Sequence, residues 1–353
     1  MRSKILVTGG AGFIGSAFVR LLVGDTSIEG DTLRSSAKLG DTLRSNQKEG
    51  DTLRSRVSPV IIDKLTYAGD LKRLSKGIPC EAECPLSDYI KFYKSDICNK
   101  KQIERIFRKE KPDIVVHFAA ESHVDRSIND ATAFVETNIK GTQILLDASR
   151  KFNIKKFIFI STDEVYGEIA NGKFTEESPI KPNSPYAASK AAADLLVQAY
   201  IRTYKFPAVI IRPCNNYGPW QFPEKLIPVA ISSVLKGDKA PVYAKGLNVR
   251  EWLYVDDCAR GILKIMQKGK MGEIYNLGSG IENKNIDTVK LILKYLGVSQ
   301  SRLKFVQDRP GHDIRYALNS SKVKRLIGWK PKVNFNDGIR LTVSWYLQNK
   351  NWF

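Results

Sequence analysis

An apolar run of strand character, KILVT at residues 4–8, passes directly into GGAGFIG and then into SAFVRLLV, where Phe18, Leu21 and Leu22 recur at helical spacing. Few folds accommodate strand, glycine loop and helix in that order. Gly9 permits a tight turn, Gly12 lets the backbone approach a diphosphate, and Gly15 lets the helix pack closely on the strand. The helix then offers unsatisfied N–H groups and a positive dipole end to the phosphates. The stretch predicts the first unit of a doubly wound α/β domain that binds a dinucleotide.

Such a unit needs an acidic residue at the end of its second strand, about 20 residues further on. Counting straight on lands in GDTLRSSAKLGDTLRSNQKEGDTLRS, residues 30–55, which repeats GDTLRS three times with a period of ten. Solenoid units are longer, roughly 20 to 50 residues. Leu33, Leu43 and Leu53 fit neither helical nor strand spacing, and the polar remainder buries too little to offset the entropy of ordering. The first credible second strand is SPVIID, ending at Asp63, and removing residues 24–56 brings Asp63 near the expected distance. Residues 24–56 are therefore expected to be a mobile insertion between the first helix and the second strand. That connection lies at the sheet edge opposite the ligand. A carboxylate at Asp63 would repel a 2′-phosphate, which favours NAD over NADP.

Further strands alternate with helical stretches: FYKSDI, then DIVVHFAA, then KKFIFIST. The fold class is α/β, a Rossmann-like doubly wound parallel sheet. Residues 1–211 are read as the NAD-binding domain. Residues 212–353, with shorter elements, are read as a smaller, interleaved substrate-binding region. At the strand ends Asp96 and Ile97 could flank an adenine, while the small Ala119 and Ala120 let a cofactor lie close.

The net charge of +19 invites a nucleic-acid partner, but the lysines are scattered, with no recognition motif or aromatic interleaving. The basic balance also suits an anionic small molecule. The five cysteines and three histidines are too dispersed for a metal site. No apolar run approaches the roughly 18 residues of a membrane span, and MRSKILVTGG lacks a signal-peptide core. A cytoplasmic enzyme with no metal, nucleic-acid or membrane partner is expected.

Two stretches carry the chemistry. FIFISTDEVYG ends a buried strand in a polar cluster at the ligand edge, and YAASK sets Tyr186 and Lys190 four apart on one helix face. An ammonium beside the phenol is expected to lower its pKa, so that it can take a proton from a substrate hydroxyl. On a regular strand Asp163 and Glu164 would face opposite sides, so the strand must end or bend there for both carboxyls to reach one substrate. Asp163 is expected to be protonated, through burial and its carboxylate neighbour.

Here the chain resembles the extended short-chain dehydrogenase/reductase family, and within it the nucleotide-sugar 4,6-dehydratases, over nearly its whole length outside the insertion. The motifs are VTGGAGFIGS, DKLTYAG, HFAAESHVDRSI, STDEVYG, SPYAASK, NNYGPWQFPEKLIP, REWLYVDD and DRPGHDIRYA. The resemblance implies tightly held NAD. It places Phe13, Ile14, Lys64, Thr66 and Ser122 beside the cofactor with Gly9, Gly12, Gly15, Asp63, Asp96, Ile97, Ala119, Ala120, Tyr186 and Lys190. Tyr186, helped by Thr162 and Lys190, would take the sugar 4-hydroxyl proton as hydride leaves carbon 4 for NAD. Glu164 would then remove the carbon 5 proton, Asp163 would protonate the departing 6-hydroxyl, and hydride would return to carbon 6.

For the substrate, the resemblance implies Ser122, Thr162, Asn215, Lys225, Leu226, Arg250 and Arg309, with Pro241 and Tyr243 lining the base pocket. It also implies a homodimer through helices 131–152 and 186–204. Pro213, Cys214 and Trp220 depart from the family's usual residues beside the sugar or phosphates, and Asp70 replaces a usual Asn. Thymine and uracil remain open as the base. A 4-epimerase needs no acid–base pair, and a decarboxylase or GDP-mannose dehydratase usually carries Thr-Ser-Glu instead of Thr-Asp-Glu. A non-catalytic NAD-binding scaffold would be expected to have lost part of the set Thr162, Asp163, Glu164, Tyr186 and Lys190.

Overall fold

In the computed structural model, residues 3–24, 57–75 and 90–352 are described; the repeat, apart from Gly24 before it, lies outside them, as do Cys80 and Cys84. Seven strands form one parallel sheet: β1 (Ser3–Thr8), β2 (Val57–Asp63), β3 (Lys91–Lys94), β4 (Ile114–His117), β5 (Lys156–Ile160), β6 (Ala208–Pro213) and β10 (Ile274–Leu277). Their order is β10-β6-β5-β4-β1-β2-β3. The order reverses between β1 and β4, which opens a crevice at the carboxyl ends of the strands. Val7, Ile61, Val116, Ile158 and Ile211 are fully buried, as strands covered on both faces require.

The helix α1 (Phe13–Val23) follows the glycine loop and ends at Gly24, whose φ of 78° is left-handed. Gly9 also needs a left-handed φ, of 70°, and a Cβ there would stand 2.5 Å from Ala119 N. A Cβ on Gly15 would stand 2.2 Å from Gly9 O, so the loop and the first turn of α1 touch backbone to backbone. Gly15→Ala is accordingly expected to destabilise the fold by about 1–3 kcal/mol, read from a denaturant melt.

Three internal ties hold the crevice in shape. His117, fully buried, bridges Thr8 Oγ1 at 2.7 Å and Thr142 Oγ1 at 3.0 Å, and its burial keeps it neutral. Asn138 donates to Glu121 O and accepts from Glu121 N, and it also donates to Ser189 Oγ. It sits in a wide π-helical stretch, Val135–Gly141, which interrupts the helix expected over 131–152. The third tie is the ion pair of Asp194 with Arg212, 0% and 1% exposed at the side chains. It joins the long helix α2 (Pro185–Tyr204) to β6 through two hydrogen bonds of 2.9 and 2.8 Å.

The carboxyl-terminal part does not stand apart from the sheet. Its β10 pairs with β6, and the helix Val255–Lys268 packs on α1. The rest builds a second apolar core around a three-stranded sheet, β11-β9-β7 (Glu282–Lys284, Val249–Tyr254, Asn215–Tyr217), and the pair β12 (Leu303–Val306) and β8 (Ala240–Tyr243).

Candidate active site

The crevice is a cleft of about 320 Å³. Every residue expected beside a cofactor lies on its wall: Gly9, Gly12, Phe13, Ile14 and Gly15 at the loop, and Asp63, Lys64 and Thr66 after β2. Asp96 and Ile97 follow β3, and Ala119, Ala120 and Ser122 follow β4. Asp63 accepts from Ala11 N at 2.9 Å and from Leu65 N at 2.8 Å, so it braces the glycine loop as well as facing the cleft. Burial raises its carboxyl against those two hydrogen bonds. Lys64 pairs with Asp96 at 2.7 Å across the cofactor end.

The catalytic end is built by a sharp change of backbone. β5 stops at Ile160, and Asp163–Tyr166 forms a single 3₁₀ turn capped by Thr162, whose Oγ1 accepts from Glu164 N at 3.3 Å. The bend required by sequence is present, and both Asp163 and Glu164 line the cleft. Burial, then the adjacent Glu164, raises Asp163 well above the carboxylate range, which favours the protonated acid. Its Oδ1 meets the Thr162 hydroxyl at 3.3 Å, whereas its buried Oδ2 has no partner among the described residues. Burial also raises Glu164, opposed by the charges of Lys225, Arg309 and Arg250.

Tyr186 and Lys190 enter the cleft from the first turns of α2, which Ser184 caps by accepting from Ala187 N at 3.1 Å. Burial, then the negative Glu164, pushes the phenol up, with Thr162 opposing the shift. This corrects the expectation that Lys190 depresses the phenol. The Lys190 ammonium instead donates to Ile160 O at 2.7 Å and lies over the Phe159 ring at 4.5 Å. Burial brings Lys190 down to about 8, with Asp194 opposing that shift.

Of the expected substrate residues, Ser122, Thr162, Asn215 and Lys225 line the cleft, and Lys225 donates to Ser122 O at 2.7 Å. Leu226, Pro241, Tyr243, Arg250 and Arg309 are not on that wall. Tyr243 donates to Asp125 Oδ2 and Arg309 Nη1 to Asp125 Oδ1, both at 3.1 Å. Arg250 is spent on the carbonyls of Val249 and Asp313, at 2.8 and 2.9 Å. The two arginines still act on Glu164 electrostatically, so this cluster adjoins the catalytic end.

The sequence profile of the GDP-mannose 4,6 dehydratase family matches residues 51–342. The chain belongs to that family. It is 42% identical over 372 residues to the dTDP-glucose 4,6-dehydratase of Neisseria meningitidis serogroup B, covering 99% of this chain and 95% of the relative. The Shigella flexneri enzyme of the same name is 44% identical over 375 residues, covering 99% and 94%. Among solved structures, the Streptomyces venezuelae dTDP-glucose 4,6-dehydratase DesIV, solved with NAD bound, superposes with a TM-score of 0.85 at 43% identity, covering 99% and 98%.

Within this GDP-mannose 4,6 dehydratase family chain, the two departures expected beside the sugar or phosphates separate. Pro213 and Cys214 do line the cleft. Trp220 does not: its ring packs on Trp345 at 4.7 Å and Trp352 at 5.0 Å, because the carboxyl-terminal helix Phe335–Gln348 supplies an apolar wall there. Sequence reasoning missed Arg73 and Glu224, which both line the cleft. It also missed Tyr67, although the motif DKLTYAG carried it. Tyr67 donates to Glu224 Oε1 at 3.2 Å and lies under the Arg126 guanidinium at 3.6 Å, bridging the loop after β2 to the loop before Leu226. Among the described residues no cluster could hold a metal ion, and no helix is long and apolar enough to cross a membrane.

Proposed function

We propose that the chain converts dTDP-glucose to dTDP-4-keto-6-deoxyglucose and water, as an NAD-dependent hydro-lyase. The observation that carries this is the pair Asp163 and Glu164, turned together into one cleft with Tyr186, with Asp163 Oδ2 buried there and unpartnered. An epimerase has no need of a second acid and base.

The residues present suit NAD. The glycine loop leaves a cradle that a Cβ would fill, and Asp63 stands at the end of β2. When bound, NAD would supply reversible hydride transfer between sugar carbons 4 and 6. Tyr186, beside Thr162, would take the 4-hydroxyl proton as a phenolate, the positive charge of Lys190 and of the bound cofactor offsetting the burial that raises its phenol. Lys190 fixes charge at the same end of the cleft. Glu164, partly open to the cleft, takes the proton that the 4-ketone acidifies at carbon 5 and gives a proton back to carbon 5 when hydride reaches carbon 6. Asp163, neutral through burial, gives its proton to the departing 6-hydroxyl, which leaves as water. Lys225, on the cleft wall, would meet the substrate's diphosphate directly, while Arg250 and Arg309, held by carbonyls and by Asp125, would add positive charge from beside the cleft.

A homodimer through helices 131–152 and 186–204 belongs to the same proposal. It is supported by the exposed Val135, Leu195 and Tyr204 on those helices. A cytoplasmic setting follows from the soluble nucleotide-sugar chemistry.

Incubation of the purified protein with dTDP-glucose and, separately, UDP-glucose tests the function and the base together. The expected result is loss of one water, read by mass, from the dTDP sugar. Loss only from the UDP sugar would move the substrate, and loss from neither would remove the reaction.

A further inference from the structure

Arg73 is fully buried, yet among the described residues it has no carboxylate within ion-pair distance. Its guanidinium is held by carbonyls. Nη1 donates to Ala11 O at 2.8 Å and to Ala68 O, and Nε donates to Trp220 O at 3.1 Å. The guanidinium also lies 4.9 Å from the centre of the Trp352 ring. Nη2 is buried without a hydrogen-bond partner, and the residue lies on the cleft wall with Gly9, Gly12 and Asp63.

The peptide groups flanking Ala11 are thereby clamped from both sides. Asp63 accepts from Ala11 N, while Arg73 and Asp70 N donate to Ala11 O. Ala11 is the residue before Gly12, whose backbone begins α1 at the diphosphate end of the cleft. An uncompensated buried cation is costly unless an anion completes it. Burial brings Arg73 down to about 10, opposed only in part by the charges of Asp70, Tyr346 and Asp63 and reinforced by Arg20.

We propose that Arg73 is a positioning residue of the cofactor site: it sets the Ala11 carbonyl of the glycine loop and holds its buried charge behind the loop that meets the diphosphate of the dinucleotide. The proposal rests on the dinucleotide reading of the cleft. Trp220 and Trp352 form the frame that holds the guanidinium in place.

The test is calorimetric titration of the cofactor-stripped full chain with NAD and with ADP, which carries the diphosphate without the nicotinamide half. For Arg73→Met, which keeps the length and removes the charge, the dissociation constants for NAD and ADP are both expected to rise roughly tenfold or more. Arg73→Lys should recover part of that loss. Native-like affinities, within about twofold, alongside a lowered melting temperature would make Arg73 a structural staple only and overturn the proposal. If Arg73→Met does not fold, Arg73→Lys and Trp352→Leu decide it: weakened NAD and ADP binding in both supports the role, and native binding in both overturns it. The native protein is titrated alongside, and its failure to bind NAD would instead overturn the dinucleotide reading itself.

Discussion

The Glu164→Gln protein is expected to form the 4-keto-6-deoxy sugar about 10²- to 10⁴-fold more slowly than the native protein. The reason is local. Gln keeps the size and the place on the 3₁₀ turn, and Glu164 N keeps its hydrogen bond to Thr162 Oγ1, but the base that removes the carbon 5 proton is gone. Tyr186 and Thr162 are untouched, so oxidation at carbon 4 should persist. Two readings separate this from a general loss of activity. Reduced nicotinamide should accumulate on the protein, seen in its near-ultraviolet absorbance. Residual sugar recovered from deuterated water should carry no label at carbon 5. Unimpaired product formation, or label at carbon 5, would take the base role away from Glu164.

Asp194→Ala should cost stability of about 3–5 kcal/mol, because it leaves the Arg212 guanidinium buried without its counter-charge. Both side chains are sealed from water, and among the described residues Arg212 has no other carboxylate as a hydrogen-bond partner: Nη1 reaches the Tyr166 hydroxyl and Glu176 O. Asp194 also sits one helical turn after Lys190 and supports its charge. The lysine should therefore titrate lower in the variant as well. A guanidinium melt reads the first effect. A replacement of both partners by apolar residues of similar size should recover much of the lost stability; failure to do so would show that the pair contributes more than the absence of an orphaned charge.

How much of this was legible beforehand depends on the kind of signal each residue carries. The strand, glycine loop and helix are local: apolar runs, Gly spacing and helical periodicity point to the same unit, and β1, α1 and β2 lie where the pattern puts them. The turn at Thr162–Asp163–Glu164 was deduced from geometry, because two adjacent carboxyls on a strand cannot serve one substrate. The environment of Tyr186 was misjudged for a related reason. Spacing of four puts Lys190 on the right face, but says nothing of the Ile160 carbonyl that takes its proton donor or of the depth at which the phenol sits. The resemblance puts Trp220 beside the sugar or phosphates, whereas its ring is claimed by Trp345 and Trp352 from the far end of the chain. Arg73 was invisible on the same grounds, since a lone arginine in GDLKRLS reads as a surface charge until its three carbonyl partners converge on it.

The place of β10 in the sheet bears on how the chain can be made. β6 is complete once Pro213 has been synthesised, but the strand that covers its outer edge is Ile274–Leu277. Until that segment leaves the ribosome, the nascent sheet presents an unpaired apolar edge, VIIRP, with open backbone N–H and C=O groups. The vulnerable interval in biogenesis is thus set by connectivity, and it is there that a chaperone would have most to shield and a misfolded neighbour most to capture.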